Sequence, residues 1–514
     1  MLGAMVQGVF PCLDGAHILW SLSLGATALT RSPEVHSLLV RLLDGQTGGP
    51  ELLGLQQILE RQGYFRVPDG VSLVAPDERW RLWDRFDFQE FCSSAGGEKI
   101  HAFLGDGQGL TWIYPTRAGQ DPCLECLVRR WIANSFLGKA GEELCQPGRQ
   151  VAWEACLTQA DCQDYLQKGV RWGQVAWKEK DQREWQYLPV LPVPLCRRCS
   201  HLGVQCPQAS IYDPRWGLLP RQGLWKDLPE GFWLESATPG ESLWLTGDPG
   251  YPGGTGASSC SQEESRLRAM GEAVERYCAS FVAIPGRPEI CLTFGSGSLS
   301  HGLACGADLE SARQSAYREK VERDATAVFW GRLTSGVATG ALRLEEIPWS
   351  PGDLDVVLLS VPSSAQPVYV CALRDGQGRV ACGAACQFSL KAVEEAFHNY
   401  EFLQRHGDRP LQSKLPQTFE EHLCYYWQHP RHFPWKRVLA ISSNSAVESL
   451  GGPLAVEFFE LTTCDVRAVG LRVVRALAPE ALFLPASHDD WPCQTARWKE
   501  LVGKRKPPIP HPFG

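Results

Sequence analysis

The chain has 514 residues, with 50 Lys and Arg against 58 Asp and Glu, a net charge of -8 and 44% hydrophobic residues. This composition excludes fibrous, collagen-like and globally disordered proteins, and at roughly 150 residues per domain it predicts about three domains. The acidic balance gives no general reason to expect a nucleic-acid partner.

The twenty cysteines are more than a typical cytosolic enzyme carries, but far fewer than a small disulfide scaffold needs. No segment reaches the roughly 18 uninterrupted apolar residues of a membrane helix. Residues 1–14 contain no basic residue before their apolar stretch, so we expect no secretory signal. We therefore expect a reducing cytoplasm, where paired cysteines indicate a metal site rather than a disulfide.

Residues 1–80 are predicted to form a small winged-helix module. Apolar residues recur with helical spacing over residues 32–45, a second helix follows Pro50, and Tyr64–Val67 resembles a short strand before a Pro-Asp-Gly turn. Winged helices bind nucleic acid in some proteins and peptides in others, and the acidic chain favours a peptide. A packing appendage without a binding role is the alternative.

Residues 81–220 contain two cysteine pairs, Cys123-Leu-Glu-Cys126 and Cys196-Arg-Arg-Cys199. Two such pairs supply the four thiolates of a tetrahedral zinc site. Four thiolates leave no open position for water or substrate, so the pairs predict structural zinc that fastens two distant segments. A redox pair and unliganded core cysteines are the alternatives, and three further cysteines are substitute ligands: Cys156, Cys162 and Cys206.

Residues 221–514 show an α+β pattern, because helical stretches alternate with apolar strand runs at Leu354–Val361 and Pro367–Leu373. The end of the chain, Lys504–Gly514, is basic and then rich in proline. A helix cannot accommodate this many prolines, so the end is predicted to extend in a polyproline-like form.

Two stretches of this last region share the pattern Glu-x-x-Glu-Arg. A spacing of three places both carboxylates on one face of a helix. Carboxylates with phosphates are typical ligands of Mg²⁺, whereas the alternative is a solvated helix face with salt bridges. The residues concerned are Glu272, Glu275, Arg276, Glu319, Glu322 and Arg323.

Three features together resemble the YcaO family, specifically its azoline-forming cyclodehydratases. They are the two Glu-x-x-Glu-Arg helices, the loop Ser300–Gly306, and the ending Pro508-Ile-Pro510-His-Pro512. The resemblance implies an α+β multidomain protein. Its parts are a winged-helix leader-recognition module at 1–80, an adenylating-enzyme-like scaffold with a zinc tetracysteine at 81–220, and a YcaO domain at 221–514.

The resemblance implies an ATP- and Mg²⁺-dependent reaction on a ribosomally made precursor peptide. A Cys, Ser or Thr side chain attacks the preceding amide carbonyl, the amide oxygen is phosphorylated, and phosphate leaves to give a thiazoline or oxazoline. The Glu and Arg residues named above, with Ser315, are the implied nucleotide and metal ligands. The implied catalytic tail contains Pro508, Pro510, Pro512 and Gly514, whose carboxylate is a candidate base.

The family's usual first motif has Ser where this chain has Arg268, and its third motif falls on residues 392–405. One alignment there gives Asn399, Phe402 and Gln404; the other gives Glu401, Gln404 and Arg405. These departures leave two rivals to an active cyclodehydratase. One is a non-catalytic partner that docks the precursor peptide, and the other is a thioamide-forming enzyme.

The expected partners follow from the same resemblance. They are the leader and core of a precursor peptide, with a separate leader-binding protein and a flavin dehydrogenase as further candidates. We expect a homodimer, with no nucleic-acid or membrane partner, acting in bacteriocin or thiopeptide maturation.

Overall fold

The computed structural model describes residues 8–11, 17–21, 25–30, 75–83, 85–87, 97–103, 110–134, 150–152, 158–179, 182–225, 228–240, 245, 253–281, 302–335, 342–348, 353–364, 366–441, 450 and 453–513. The helices and the strand predicted within residues 32–67 lie outside these residues, as do Cys156, Ser300 and Gly514. The winged helix therefore stays a prediction.

Strands and helices alternate irregularly along the chain, which confirms the mixed α+β class. In chain order the strands are β1 Gly8–Pro11, β2 His17–Ser21, β3 Gly25–Thr30, β4 Trp80–Trp83, β5 Arg85–Asp87, β6 Glu98–Phe103, β7 Leu110–Arg117, β8 Gln150–Ala152, β9 Gln174–Glu179, β10 Gln186–Pro189, β11 Arg221–Leu224, β12 Trp233–Thr238, β13 Gly254–Ser258, β14 Leu303–Gly306, β15 Arg343–Leu344, β16 Asp355–Val361, β17 Val368–Arg374, β18 Val380–Cys386, β19 Glu457–Glu460 and β20 Arg472–Leu477. The α-helices are α1 Leu124–Asn134, α2 Gln159–Lys168, α3 Gln262–Phe281, α4 Leu309–Ser335, α5 Ser389–His406, α6 Phe419–Gln428, α7 Trp435–Val438, α8 Cys464–Ala468 and α9 Ala496–Leu501. Short 3₁₀ helices lie at Gln208–Tyr212, Pro430–His432 and His488–Asp490.

The chain forms two compact units, each built from more than one segment. Unit 1 comprises Met1–Arg221, Pro239–Gly250 and Thr463–Gly470, and unit 2 comprises Gln222–Thr238, Tyr251–Thr462 and Leu471–Gly514. Within the described part of the chain, no helix is long and apolar enough to cross a membrane.

Unit 1 is centred on a five-stranded sheet in the order β10-β9-β7-β6-β4, in which only the pair β4 and β6 is parallel. Helix α2 packs on this sheet through Cys162 and Tyr165, which join Trp80 and Ile113 in the core. A capping box begins α2, since Thr158 accepts the Asp161 N–H and the Asp161 carboxylate accepts the Thr158 N–H.

Unit 2 contains the sheets β11-β12-β13, β14-β20-β19 and β15-β16-β17-β18. All seven residues of β18 are buried. Alternate residues of β18 face opposite ways, so Cys382 and Ala384 join one hydrophobic core, whereas Ala381 and Ala385 join a second core with α5. Burial on both faces explains the continuous apolar runs that predicted β16 and β17.

Two glycines allow helix α3 to lie directly on strand β13. A Cβ at Gly254 would collide with the α3 backbone at Ala273 and Ala269, and a Cβ at Gly256 would collide with the carbonyl of Ser265. The close approach brings the carboxylate of Glu272 within reach of the β13 backbone. Gly254 and Gly256 therefore help to position the carboxylate of Glu272.

Candidate active site and metal centre

The four glutamates of the two Glu-x-x-Glu-Arg stretches lie on α3 and α4, and strand N–H groups hold each of them. Thr255 of β13 donates to Glu272 at 2.6 Å, and Cys305 of β14 donates to Glu275 at 2.7 Å. The corresponding hydrogen bonds to α4 are longer: Leu303 N lies 3.1 Å from Glu319, and Cys386 N lies 3.2 Å from Glu322. Both carboxylates of each glutamate pair thus face the strands.

The carboxylates of the two helices influence one another electrostatically. Removal from water raises the pKa of Glu275 well above its usual value, and the negative charge of Glu319 raises it further. Removal from water also raises the pKa of Glu319, against the opposing charge of Arg323. The structure therefore places the two predicted pairs in one cluster of negative charge.

Cations surround this cluster. Arg276 donates to Glu272 at 2.5 Å, and Arg323 lies 4.0 Å from both Glu319 and Glu322. Ser315, the first residue of the second motif, accepts a hydrogen bond from Arg318 at 2.8 Å. Burial lowers the pKa of Lys320 to about 8, so this ammonium is easier to deprotonate than a surface lysine.

Among the described residues, only the four paired cysteines bring three or more metal-ligand atoms together. The ligand atoms of Cys123, Cys126, Cys196 and Cys199 all lie within 4.8 Å of one another. Cys123 Sγ and Cys196 Sγ are 3.5 Å apart, close to the roughly 3.8 Å edge of a tetrahedron with Zn–S bonds of about 2.3 Å. The geometry fits a four-thiolate metal site, and Cys162 packs in the core instead.

Backbone N–H groups support thiolates in this cluster. Cys123 N donates to Cys199 Sγ at 3.2 Å, and Val193 N donates to Cys126 Sγ at 3.3 Å. Hydrogen bonds from the other thiols, first from Cys123, lower the pKa of Cys196, whereas burial raises the pKa of Cys126 and the hydrogen bond with Cys123 raises that of Cys199. N–H donors of this kind stabilise a negatively charged sulfur, which is the form that binds metal.

The proline-rich tail is part of the core of unit 2 rather than a free arm. Residues 510–513 are buried, whereas Pro508 is exposed. Tyr426 donates to the carbonyl of Pro510 at 2.5 Å, and the ring of Phe513 packs edge-on against Trp330 of α4. Phe513 and Pro512 also line an apolar cavity of about 10 Å³. The last described residues therefore run beside the helix that carries Glu319 and Glu322.

Residues 291–482 match the family model of the YcaO cyclodehydratases, which is described as ATP- and Mg²⁺-binding. This part of the chain is a YcaO domain. The match includes the second glutamate pair and β14, whereas the first pair on α3 precedes it. No curated protein matches the chain.

Several solved structures resemble the fold at low identity. A heterocyclase in complex with substrate and cofactor is 13% identical, with 77% of this chain and 74% of that chain covered and a TM-score of 0.49. The heterocyclase TruD is 14% identical, with 99% of each chain covered and a TM-score of 0.46. YcaO from Methanopyrus kandleri, bound with AMPPCP and Mg²⁺, is 15% identical, with 53% and 88% covered and a TM-score of 0.33. Likeness at this level transfers no residue roles to this chain.

Arg268, which replaces the expected serine before the first glutamate pair, has a structural role in unit 2. Its guanidinium donates to Glu394 of α5 and to Glu264 of α3, both at 2.6 Å. Glu394 is buried and also accepts the backbone N–H of Ser259 at 2.6 Å. The substitution thus joins α3 to α5 instead of leaving a gap.

The residues of the two third-motif alignments make packing and hydrogen-bond contacts of their own within unit 2. Asn399 donates to the carbonyl of Cys382 at 2.8 Å, Phe402 packs on the core with α5, and Arg405 stacks over Trp225 at 4.4 Å. Gln404 is exposed. Removal from water raises the pKa of Glu401, and Arg405 opposes the rise.

Sequence reasoning missed Glu395, a carboxylate on α5 that interacts electrostatically with Glu322. Removal from water and the charge of Glu322 raise the pKa of Glu395 to about 7. The positive charges of Arg323 and Lys391 oppose this rise. Glu395 lies four residues before Asn399 and therefore on the same side of the helix. A shift of one turn in the alignment would have found it.

Proposed function

We propose that this chain is an ATP-dependent cyclodehydratase that forms thiazoline or oxazoline rings in a ribosomally made precursor peptide. One observation carries the proposal. Within and beside the YcaO domain, strand N–H groups hold four glutamates of two helices, and the carboxylates of these glutamates form one cluster of negative charge. Buried like charges need a counter-charge, and a divalent cation bound to phosphates supplies one.

The donor set fits Mg²⁺ with ATP better than a metal held by protein alone. Among the described residues, no group of three or more carboxylates brings its oxygen atoms close enough together to bind a metal ion, whereas the four cysteines bring their sulfur atoms together in this way. Mg²⁺ is commonly bound by one or two carboxylates together with substrate phosphates and water. Glu272, Glu275, Glu319 and Glu322 would hold the cation, and ATP would supply the phosphoryl group that activates the amide oxygen.

The cationic side chains beside the glutamates would bind the phosphates. Arg276 and Arg323 provide guanidinium groups near the two pairs, and Ser315 provides a hydroxyl held by Arg318. Fixed cations lower the barrier of phosphoryl transfer because negative charge spreads over the transferred group. In this reaction the substrate side chain attacks the preceding carbonyl carbon and its proton passes to a base. The resulting oxyanion would take the phosphoryl group of ATP with release of ADP. Loss of the amide N–H proton then forms the C=N bond as phosphate departs with the former amide oxygen.

The test of the function uses the full chain, Mg²⁺ and ATP, with synthetic peptides rich in Cys, Ser and Thr. Mass spectrometry should show the loss of one water for each ring, with an equal amount of released phosphate. Tight peptide binding without any mass loss would support the non-catalytic partner instead. With sulfide added, exchange of an amide oxygen for sulfur would support thioamide formation.

The four-cysteine cluster is proposed to hold structural zinc. Protein purified without chelators is expected to contain one zinc per chain, measured by elemental analysis. Cys196→Ser should reduce this content and the melting temperature of unit 1, because a lost thiolate leaves the other three buried without their cation. Cys260→Ser, which changes an exposed thiol, is the matched control. Full zinc content in Cys196→Ser would contradict the assignment.

The tail is proposed to bring the carboxylate of Gly514 to the reacting amide as the base, and the prolines Pro508, Pro510 and Pro512 to stiffen its approach. Deletion of Gly514 alone is expected to lower turnover by about 10²-fold, the low end for a general base, because a terminal carboxylate is a weak base. The melting temperature should fall by less than in a variant without the Phe513 ring, since that ring still packs against Trp330. Phe513→Ala is the contrasting variant, because loss of a buried Phe costs about 3–5 kcal/mol of stability.

A further inference from the structure

Three buried histidines lie within or beside the proline-rich tail in unit 2, and none has a role in the proposed chemistry. His511 lies within the tail, His422 lies on α6, and His488 lies in a short 3₁₀ helix. The rings of His422 and His511 stack, with centroids 3.7 Å apart and planes only 6° from parallel. We call these three residues the histidine cluster.

Hydrogen bonds define where the protons of the cluster must sit. His422 Nδ1 lies 2.9 Å from the carbonyl oxygen of His511, so it must carry a hydrogen and donate. His511 Nε2 lies 2.9 Å from the carbonyl oxygen of Pro485 and donates in the same way. The other nitrogen of His511, Nδ1, accepts the backbone N–H of Phe513 at 3.4 Å. His511 is therefore neutral, and its tautomer is fixed by the tail.

His488 is also required in its neutral form. Its Nδ1 accepts the indole N–H of Trp491 at 3.4 Å. A proton on this nitrogen, or on Nδ1 of His511, would remove the lone pair that now accepts a hydrogen bond and would clash with the donor N–H. Protonation would also bring two positive charges together in the stacked pair of His422 and His511.

The charged groups that face the cluster oppose protonation as well. The positive charge of Arg323 on α4 acts on His511, and that of Lys506 acts on His488. Asp489 opposes the effect at His488, and backbone hydrogen bonds with His511 and Ala486 favour the protonated form of His422. Burial lowers the pKa of His422 to about 3 and that of His488 to about 4. Burial therefore favours neutral rings throughout the cluster, and the hydrogen bonds of His511 and His488 require them.

We propose that the histidine cluster is a proton-sensitive latch that holds the tail in place, with His422 and His488 as positioning residues for it. The latch binds the tail only when all three imidazoles are neutral. When the tail is released, His511 in the tail and the uncovered His422 and His488 return to their ordinary pKa near 6.5. The released form then takes up protons that the held form excludes, so acid shifts the equilibrium toward release.

The sign and size of the pH dependence follow from this linkage. Above about pH 7 both forms are neutral, and the equilibrium does not change with pH. Below about pH 6, the ratio of held to released tail should fall about tenfold per pH unit for each histidine that gains a proton, and up to three contribute. The effect on ring formation rests on the proposed function, whereas release of the tail does not.

Hydrogen exchange of the full chain tests the latch without a substrate. The protection factors of the His511 and Phe513 amides, relative to an unstructured chain at the same pH, should be constant from pH 8 to pH 7 and fall steeply from pH 6 to pH 5. Protection of β17 should stay constant, which separates local release from global unfolding. Constant protection of the tail down to pH 5 would overturn the proposal.

Asparagine variants identify the sensors, because an Asn side chain can replace Nδ1 as a donor or acceptor but does not titrate. H422N/H488N should retain the protection of the tail amides at pH 8. Below pH 6 its protection should fall less steeply with pH than in the wild type, because two of the three titrating histidines are gone. His422→Ala should release the tail even at pH 8. His429→Asn, at the exposed end of the same helix, is the matched control and should behave as the wild type.

Other results would overturn the assignment of the sensors. An unchanged pH slope in H422N/H488N, or full tail protection in His422→Ala, would show that these residues do not hold the tail. Where the chain also forms rings, kcat should fall with tail protection between pH 6 and pH 5, and the Asn variant should lose part of this fall. A chain without ring formation would refute the proposed function and leave the exchange test of the latch intact.

Discussion

Glu319→Gln is expected to lower the turnover of ring formation by about 10²–10³-fold, the size seen when one preorganised group is removed from a developing charge. The amide of Gln can still accept the Leu303 N–H, which is 3.1 Å from the carboxylate, so the fold should persist. What is lost is the negative charge opposite Glu275. The measurement is phosphate release with precursor peptide at saturating Mg²⁺ and ATP.

A charge-neutralising change elsewhere on the same helix is the control. Glu310→Gln lies in the exposed first turn of α4 and should leave turnover unchanged. Glu275→Gln should resemble Glu319→Gln, since both carboxylates contribute to the same cluster. Normal turnover in both Glu275→Gln and Glu319→Gln, with the Mg²⁺ dependence of the wild type, would contradict the prediction. It would show that these glutamates do not bind a cation that is coordinated by the nucleotide.

Arg130→Ala is expected to destabilise unit 1 by about 3–5 kcal/mol, because it leaves a buried carboxylate without its cation. Arg130 and Asp465 are both fully buried, and their ion pair is 2.8 Å long. The same guanidinium donates to the carbonyl of Leu191 at 2.9 Å. Asp465→Ala should cost a similar amount. Urea unfolding, with exchange of the α1 amides as the readout for unit 1, measures both.

The matched control for this prediction is an exposed pair in the same unit. Lys168 and Asp164 are 3.3 Å apart on α2 with more than a third of each side chain exposed, so Lys168→Ala should cost only about 0.3–0.5 kcal/mol. The double variant R130M/D465L should be more stable than either single Ala variant, because an apolar pair needs no counter-charge. Equal losses for Arg130→Ala and Lys168→Ala would contradict the role of the buried pair.

The sequence predicted the parts of the site that depend on local spacing. Glutamates three residues apart lie on one helix face whatever the helix packs against, and paired cysteines need only a turn between them. The structure indeed brings Cys123 and Cys196 together from distant segments. The roles of these residues in nucleotide and zinc binding stay predictions.

Long-range partners were not predictable from local spacing. His422 and His511 are 89 residues apart, and no periodic pattern links them. Arg268 appeared as a departure from a motif, yet its partner Glu394 lies 126 residues later. The two third-motif alignments stay predictions, because Glu395 and Glu401 share a helix and only packing decides which turn faces the cluster.

The segmented composition of unit 1 has a consequence for how the protein is made. Asp465 lies 335 residues after Arg130, and its segment is the last part of unit 1 to be synthesised. At about 5–20 residues per second, a ribosome needs roughly 20–70 s to make the intervening chain. Until then Asp465, the buried partner of Arg130, does not exist, so unit 1 completes its fold only after most of unit 2 has been translated. A gene fragment that ends at residue 221 would encode an incomplete unit.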